Sequence, residues 1–278
     1  MRPILMNGKE FDGDCNLLKQ SAIQLSRELI VQATLDRSLS DVSCDKRVKD
    51  EELDAAISEL FDLVRNGRVE SCVEYTSQLL QRGMTLKGLY LDILSPIAER
   101  LGQLWEDDYL NFGDVTYMVG TLQAILRVTS EAVPFVNARH DTNRKVLLCR
   151  ALGEDHTFGL LILERFFNEA GWCVSGGFNI EAGPELIHLV EKEYYYLLGI
   201  SVGSVTKLDA VRRQIEDVRK RSKNRDISVM LGGPVFSDGS RDAEAFGGDL
   251  SAVNAELAIE AAESLFIDSG AQGIVNGI

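Results

Sequence analysis

The sequence KVLLCRALGEDHTFG, residues 145–159, decides how the second half of the chain folds. Residues 145–151 form a short apolar run, as expected for a buried strand of a parallel sheet. An acidic pair and His156 follow in a loop, and residues 158–170 have helical spacing. The same order repeats downstream, with predicted strands at 172–177, 196–201, 227–233 and 250–253 and predicted helices at 184–192, 208–220 and 255–266. This alternation predicts an α/β domain with a flavodoxin-like, doubly wound parallel sheet.

The first half of the chain shows helical periodicity throughout. Predicted helices cover residues 16–39, 53–64, 69–80, 86–104 and 111–133, with a polar linker at 40–47. Consecutive helices with short connections indicate an antiparallel bundle. The predicted domains are therefore a partly helical N-terminal extension (1–48), an all-α helical bundle (49–138), the α/β domain (144–267) and a tail expected to fray (268–278).

The composition excludes several classes of protein. The 278 residues carry a net charge of −14, which disfavours direct nucleic acid binding and suits a basic protein partner. The five cysteines are scattered and form no Cys-x-x-Cys pair, which argues against a disulfide framework or a zinc site. No apolar run reaches the length of a membrane span, and the first nine residues lack the core of a signal peptide. These features predict a cytoplasmic protein without membrane contact.

Three loops are expected to meet at the carboxyl edge of the sheet, where open α/β sheets bind ligands. They follow the first, third and fourth predicted strands. Their candidate site residues are Glu154, Asp155, His156, Thr157 and Gly159, then Ser201 and Gly203, then Gly232 and Gly233. Taken alone, His156 is most simply a polar surface residue; taken together, the three loops predict one binding site.

The spacing of these loops resembles a known signature. Forty-one residues separate Gly159 from Ser201, and 28 separate Gly203 from Gly232. The pattern is similar to that of cobalamin-binding domains, namely Asp-x-His-x-x-Gly, Ser-x-Leu and Gly-Gly. The resemblance implies that His156 replaces the dimethylbenzimidazole of cobalamin as the lower axial ligand of cobalt. It also implies that the serine loop and the diglycine line a channel for the nucleotide tail.

Two positions depart from the signature. Glu154 stands where the pattern has Asp, the residue implied to hydrogen-bond the imidazole and set its tautomer. Because Glu is longer, we expect this bond to be rearranged or lost, with Asp155 as the compensating acceptor. Gly203 stands where Leu is usual, a change expected to cost packing but no ligand.

The helical half contains the stretch LGQLWEDD, residues 101–108. It resembles the "LGxxWxxD" motif of bundles that cap cobalamin in methionine synthase-like proteins and light sensors, which implies that Trp105 contacts the cofactor. The alternative is that Trp105 is an ordinary core aromatic. In the light sensors a Glu-His pair follows the tryptophan; here Val115-Thr116 stands at that place, and no histidine precedes His140.

The domain order resembles the PpaA/AerR antirepressors. That resemblance implies a regulator without catalysis, which senses light or redox state through cobalamin and binds a PpsR/CrtJ-type repressor of photosynthesis genes. Two alternatives stay open: a corrinoid carrier in methyl transfer, and a heme sensor in which His156, His140 or a cysteine ligates iron. A dinucleotide or phosphate-loop site is excluded because the first strand–helix turn has no G-x-G-x-x-G and no Gly-Lys-Ser/Thr sequence.

Overall fold

The computed structural model describes residues 50–132 and 141–275. The predicted helix 16–39 and the linker 40–47 lie outside the described residues. The described parts fall into two compact units, one on each side of the break. No helix in these two ranges combines the length and apolar character that a membrane span requires.

The first unit is all-helical, in agreement with the sequence pattern. Two short turns precede its third helix: one α-turn at Leu86–Gly88 and a π-helical segment at Leu89–Leu94. The helices are α1 (Asp50–Arg65), α2 (Val69–Gln81), α3 (Ser95–Glu106) and α4 (Phe112–Ala132).

The π-helical segment has a local cause in the sequence. Pro96 has no backbone N–H and its ring clashes with the carbonyl four residues earlier, so the regular α-helical ladder cannot continue through it. The backbone N–H of Ser95 bonds instead to the carbonyl of Tyr90, and the Ser95 hydroxyl donates to the same oxygen at 2.9 Å. The widened turn therefore lets the chain stay helical up to α3.

Buried aliphatic side chains hold the four helices together. The fully buried set comes from every helix and from the π segment, and includes Leu60, Val64, Leu89, Ile93, Leu94, Ile97, Leu101, Leu122 and Ile125. The Tyr90 hydroxyl crosses this core to α4, with Thr129 Oγ1 at 2.9 Å and Ser130 Oγ at 3.3 Å. The buried hydroxyls of Tyr90 and Thr129 thus each have a partner, as buried polar groups require.

The second unit is a five-stranded parallel sheet with strand order β2-β1-β3-β4-β5, which confirms the flavodoxin-like prediction. The strands are β1 (Asp141–Arg150), β2 (Trp172–Glu181), β3 (Leu197–Ser201), β4 (Ser228–Gly232) and β5 (Leu250–Ser251). The helices are α5 (Phe158–Glu169), α6 (Pro184–Lys192), α7 (Leu208–Arg221) and α8 (Ala255–Val275).

The helices cover both faces of this sheet. Alternate β1 residues enter opposite cores: Leu147 packs with residues of α6 and α7, whereas Val146 packs with residues of α5 and α8. β3 is buried along its whole length. This two-sided burial explains why the predicted strands read as continuous apolar runs.

The last helix is longer than the sequence pattern suggests. It continues to Val275, so most of the segment that we predict as a frayed tail is helical. The helix is fixed to the sheet by Glu263, whose Oε1 accepts hydrogen bonds from the Trp172 indole at 2.7 Å and from Arg144 at 2.9 Å. Phe266 stacks edge-on against Trp172 with ring centroids 5.9 Å apart.

Replacement of Glu263 tests this connection. Glu263→Ala removes the charged acceptor of the buried Trp172 N–H and is expected to lower the free energy of unfolding by about 1.5–3 kcal/mol. Glu263→Gln keeps an acceptor oxygen, so its free energy of unfolding is expected to fall by less. Chemical denaturation of the two variants measures both effects, and equal losses would contradict this role of the hydrogen bond.

Candidate functional site

The three predicted loops lie at one edge of the sheet. In the parallel register Arg150 of β1 is level with Ser201 of β3, and Ser201 is level with Gly232 of β4. Backbone bonds join the segments beyond these residues: Ala151 N–H donates to Ser201 O at 2.8 Å, and Val202 N–H donates to Gly232 O at 2.9 Å. The sheet thus brings the ends of three strands into one site.

His156 is held by the residue two places before it. Its Nδ1 lies 2.5 Å from Glu154 Oε1, and its backbone N–H donates to the same oxygen at 3.2 Å. The His156 side chain is 52% exposed, whereas Glu154 is 2% exposed. The expected loss of the acid–imidazole bond is therefore wrong, because the longer Glu154 side chain folds back onto its own loop and still reaches the ring.

The Glu154 carboxylate is buried but well hydrogen-bonded. Burial alone would raise its pKa, but hydrogen bonds from the His156 side chain and from the backbone of His156 and Gly203 outweigh that effect and bring the pKa to about 2. The group is therefore an anion at neutral pH and can accept a hydrogen bond from Nδ1–H. Nε2 is then the imidazole nitrogen with a lone pair available to a metal.

Gly203 explains how a glutamate fits at position 154. The Gly203 N–H donates to Glu154 Oε2 at 2.7 Å. A Cβ built on Gly203 would lie 2.5–2.6 Å from the carboxyl atoms of Glu154, so a larger side chain cannot occupy this position without displacing the acid. The two departures from the signature are therefore one coupled change, in which the extra length of Glu154 occupies the space that Gly203 vacates.

Two basic residues of the site are missing from the sequence prediction. Arg150, at the end of β1, donates to the carbonyls of Phe178 and Glu154 and forms a 2.6 Å ion pair with Glu181. Lys207 lies 3.3 Å from Glu154 Oε2. In the sequence, Arg150 is an arginine at the end of an apolar strand and Lys207 is a lysine shortly after Ser201. Both patterns are too common to identify a site residue without the positions of the loops in the folded protein.

The second and third loops pack closely. Gly233 has a φ of +90°, which L side chains rarely adopt. A Cβ there would lie 2.7 Å from Ser201 Oγ and 2.8 Å from Val202 N. Ser201 is buried and Gly232 is half-buried at the end of β4. The diglycine therefore lets two backbone segments approach each other and leaves their polar atoms in the site.

The other candidates of the first loop lie around His156. Asp155 is exposed and donates its backbone N–H to Glu154 Oε1 at 3.1 Å, so Glu154, rather than the compensating acceptor we expected, holds the imidazole. Thr157 is half-buried just before α5, and its carbonyl accepts bonds from the first turn of that helix. Gly159 is exposed, and a Cβ built on it meets nothing within 4 Å. This corner of the site is open to a ligand.

Trp105 belongs to the helical unit and is not a core residue, because 41% of it is exposed. Its ring makes an edge contact with Phe112, with centroids 6.3 Å apart, and Phe112 is itself 72% exposed. Tyr109 lies in the turn between them and is 77% exposed. These three exposed side chains lie within eight residues of one another in the chain and are here called the aromatic patch.

The donor set suits one kind of metal group. Within residues 50–132 and 141–275, no three His, Cys, Asp or Glu side chains cluster as a metal site would require. A cobalt ion whose equatorial positions are filled by a macrocycle needs a single imidazole below it, and His156 can supply that.

The coupling of Glu154 and Gly203 is testable by a double-mutant cycle. Gly203→Ala is expected to lower the free energy of unfolding by about 1–3 kcal/mol, because its Cβ overlaps the carboxylate. In a Glu154→Asp background, Gly203→Ala is expected to lower the free energy of unfolding by a smaller amount, because the shorter acid leaves room for the new Cβ. The coupling energy between the two positions is expected to be about 0.5–3 kcal/mol. Denaturant titration of the four proteins measures this, and additive losses would show that the positions are independent.

Both units of the chain match known protein families. Residues 144–263 match the B12 binding domain family, and residues 56–129 match a second B12 binding domain family. Together these matches cover the described parts of both units almost completely.

Two individual proteins are similar over longer stretches. The chain is 26% identical over 165 residues, 58% of its length, to an uncharacterized 20.5 kDa protein of the bchF-crtJ intergenic region of Rhodobacter capsulatus, and this covers 83% of that protein. The fold of the chain is similar to that of the monomethylamine corrinoid protein of Methanosarcina barkeri, with a TM-score of 0.62 and 16% identity. This match covers 76% of this chain and 99% of the corrinoid protein. The two B12-binding family matches and the relative from Rhodobacter capsulatus together support a cobalamin-binding protein of the PpaA/AerR type.

Proposed function

We propose that this protein is a cobalamin-dependent regulator without catalysis, in which His156 is the lower axial ligand of cobalt. The observation that carries the proposal is the 2.5 Å contact between His156 Nδ1 and the buried Glu154 carboxylate. It orients the ring through Nδ1 and leaves Nε2 as the nitrogen that would bind the metal, in the way that metal-binding histidines are oriented. When bound, cobalamin supplies a light-absorbing ring and an exchangeable upper position on cobalt.

The neighbouring loops have the properties that the nucleotide tail of the cofactor needs. Ser201 Oγ is a buried hydroxyl beside Gly233, and such groups satisfy polar atoms of a buried ligand. We propose that the tail binds along the loops that carry Ser201, Gly203, Gly232 and Gly233. Asp155, Thr157 and Gly159 are assigned to the rim of the ring because they flank His156.

We also propose that Trp105, in the aromatic patch, contacts cobalamin. The turn that carries the patch is ordered: Asp108 has a φ of 60°, and the Tyr109 N–H donates to Leu104 O at 2.9 Å. Residues 50–132 contain no histidine, so this unit offers apolar and carboxylate groups rather than an imidazole.

The regulatory role has two supports. The relative from Rhodobacter capsulatus is named for its position between bchF and crtJ. The name crtJ is also that of the PpsR/CrtJ repressor class, which the resemblance to PpaA/AerR antirepressors implies as the partner. The net charge of −14 fits a basic partner, as a DNA-binding repressor would be. We therefore propose that the protein acts as an antirepressor, binds a PpsR/CrtJ-type repressor and responds to light or redox state through its cobalamin.

A corrinoid carrier in methyl transfer is the second candidate function. It is compatible with the same two-unit layout, since the fold match covers 99% of a monomethylamine corrinoid protein. Fold alone does not specify function. The exchange of methyl groups with a methyltransferase therefore separates the two candidates.

The ligand assignment is tested by His156→Ala, with His188→Ala as a matched control on the exposed face of α6. Wild-type protein and the control are expected to bind hydroxocobalamin with the spectrum of imidazole-ligated cobalt. His156→Ala is expected to bind it at least roughly 100-fold more weakly, beyond the range for loss of an outer hydrogen-bond partner. A heme Soret band that persists in excess cobalamin, or an unchanged His156→Ala spectrum, would refute the assignment.

The regulatory role is tested by binding to a purified PpsR/CrtJ-type repressor. We expect the affinity of the cobalamin-loaded protein for the repressor to differ between dark and light. The affinity should fall with added salt, because the contact is electrostatic. In His156→Ala the affinity should no longer depend on light. Biolayer interferometry measures the affinities. If the protein shows no repressor binding and instead exchanges methyl groups with a methyltransferase, it is a carrier.

A further inference from the structure

A cleft of about 340 Å³ opens beside α7 in the α/β unit. Its apolar walls come from three separate segments: Leu152 in the loop after β1, Ala182 after β2, and Ala210 and Val211 in α7. None of the residues that we assign to the cofactor lines this cleft. The cleft is therefore a feature that the cobalamin site leaves unexplained.

Small residues keep the cleft open. Ala182 is held at the end of β2, where its N–H donates to Arg150 O at 2.8 Å. Gly183 follows directly before α6, and a Cβ built on it would lie 3.8 Å from Leu152 Cδ1. Ala210, on the opposite wall, is an exposed residue of α7. Larger side chains at these places would fill the space.

The turn after β1 holds Leu152 at the open side of the cleft. The Glu154 N–H donates to Ala151 O at 3.0 Å and closes a four-residue turn, in which Gly153 has a φ of 66°. Leu152 precedes this glycine and is 56% exposed. Because its backbone is fixed while its side chain meets water, a partner that covers Leu152 gains hydrophobic contact.

The third wall of the cleft is polar. It consists of Arg213, Gln214 and Asp217, and residues 213 and 217 lie one turn apart on the same side of α7. Among the residues that the structure describes, neither Arg213 nor Asp217 has an ion-pair partner, whereas the adjacent Arg212 pairs with Glu216 at 3.8 Å. The cleft thus combines an apolar floor with one available cation and one available anion.

We propose that this cleft is the docking site of the protein partner, and that it takes an aliphatic side chain from an amphipathic segment of that partner. A carboxylate of the segment pairs with Arg213 and a cation of the segment pairs with Asp217, which is charge complementarity at the rim of an apolar contact. This inference rests on the proposed regulatory function and names the surface through which it is exerted.

The shape of the cleft favours a protein segment over a small molecule. Sites for small molecules enclose most of the surface of their ligand, whereas this cleft is half-open and has an exposed leucine at its edge. An apolar side chain seated in a pocket with polar groups around it is the usual centre of a protein interface. Leu152 lies four residues before His156, so a docked segment contacts the loop that carries the proposed cobalt ligand.

The first test reverses charges at neighbouring positions of α7. Arg213→Glu places a repulsive charge in the cleft, and Arg212→Glu changes the net charge equally at a residue that does not line it. Biolayer interferometry with the cobalamin-loaded full chain and the purified repressor measures the affinities. We expect Arg213→Glu to bind at least roughly tenfold more weakly, and Arg212→Glu to change by less than about threefold. Equal losses would overturn the proposal, because they would reflect long-range charge rather than the cleft.

The second test fills the cleft. Ala210→Phe adds a large side chain at an exposed position, and Ala55→Phe does the same at an exposed alanine of α1. We expect Ala210→Phe to bind the repressor at least roughly tenfold more weakly than Ala55→Phe. Both are expected to keep the cobalamin spectrum and the circular dichroism melting curve of the wild type, because neither position is in the core.

The docking site and the regulatory function fail in different ways. If the wild type binds the repressor and both cleft variants bind it equally well, the docking site is wrong and the regulatory function stands. If the wild type binds no repressor, the regulatory function is wrong and the docking site fails with it. If the cleft variants instead change the molar mass measured by light scattering, a second copy of the chain occupies the cleft and the proposal is overturned.

Discussion

The burial of the Glu154 carboxylate is the constraint on which the site depends. An unpaired anion in this position would be too costly, so every surrounding element must supply a donor. His156, Gly203 and Lys207 do so from two different loops. The same carboxylate therefore orients the histidine, connects the loops after β1 and β3, and excludes a larger side chain at position 203.

The parallel sheet makes this arrangement possible. The ends of β1, β3 and β4 are level, and backbone hydrogen bonds beyond them connect the three loops directly. Arg150 adds a side-chain connection from the end of β1 to β2 and to the histidine loop. His156 is consequently a half-exposed side chain on a rigid support, which is the combination that preorganised ligand sites need.

The helical unit contributes a different kind of surface. The aromatic patch is exposed and apolar, and its turn is fixed by backbone bonds rather than by burial of the rings. Large exposed aromatic groups are costly to solvate and usually mark a binding surface.

The sequence by itself determined the helical and α/β halves, the flavodoxin-like sheet and the three loops, because hydrophobic periodicity and strand–helix alternation are local properties. It also placed Glu154, His156, Ser201 and the diglycine at one edge. The coupling of Glu154 with Gly203 and the contact of Lys207 were decided only by tertiary structure. These residues are about 50 positions apart in the chain, and their fit depends on distances between side chains that no local pattern encodes.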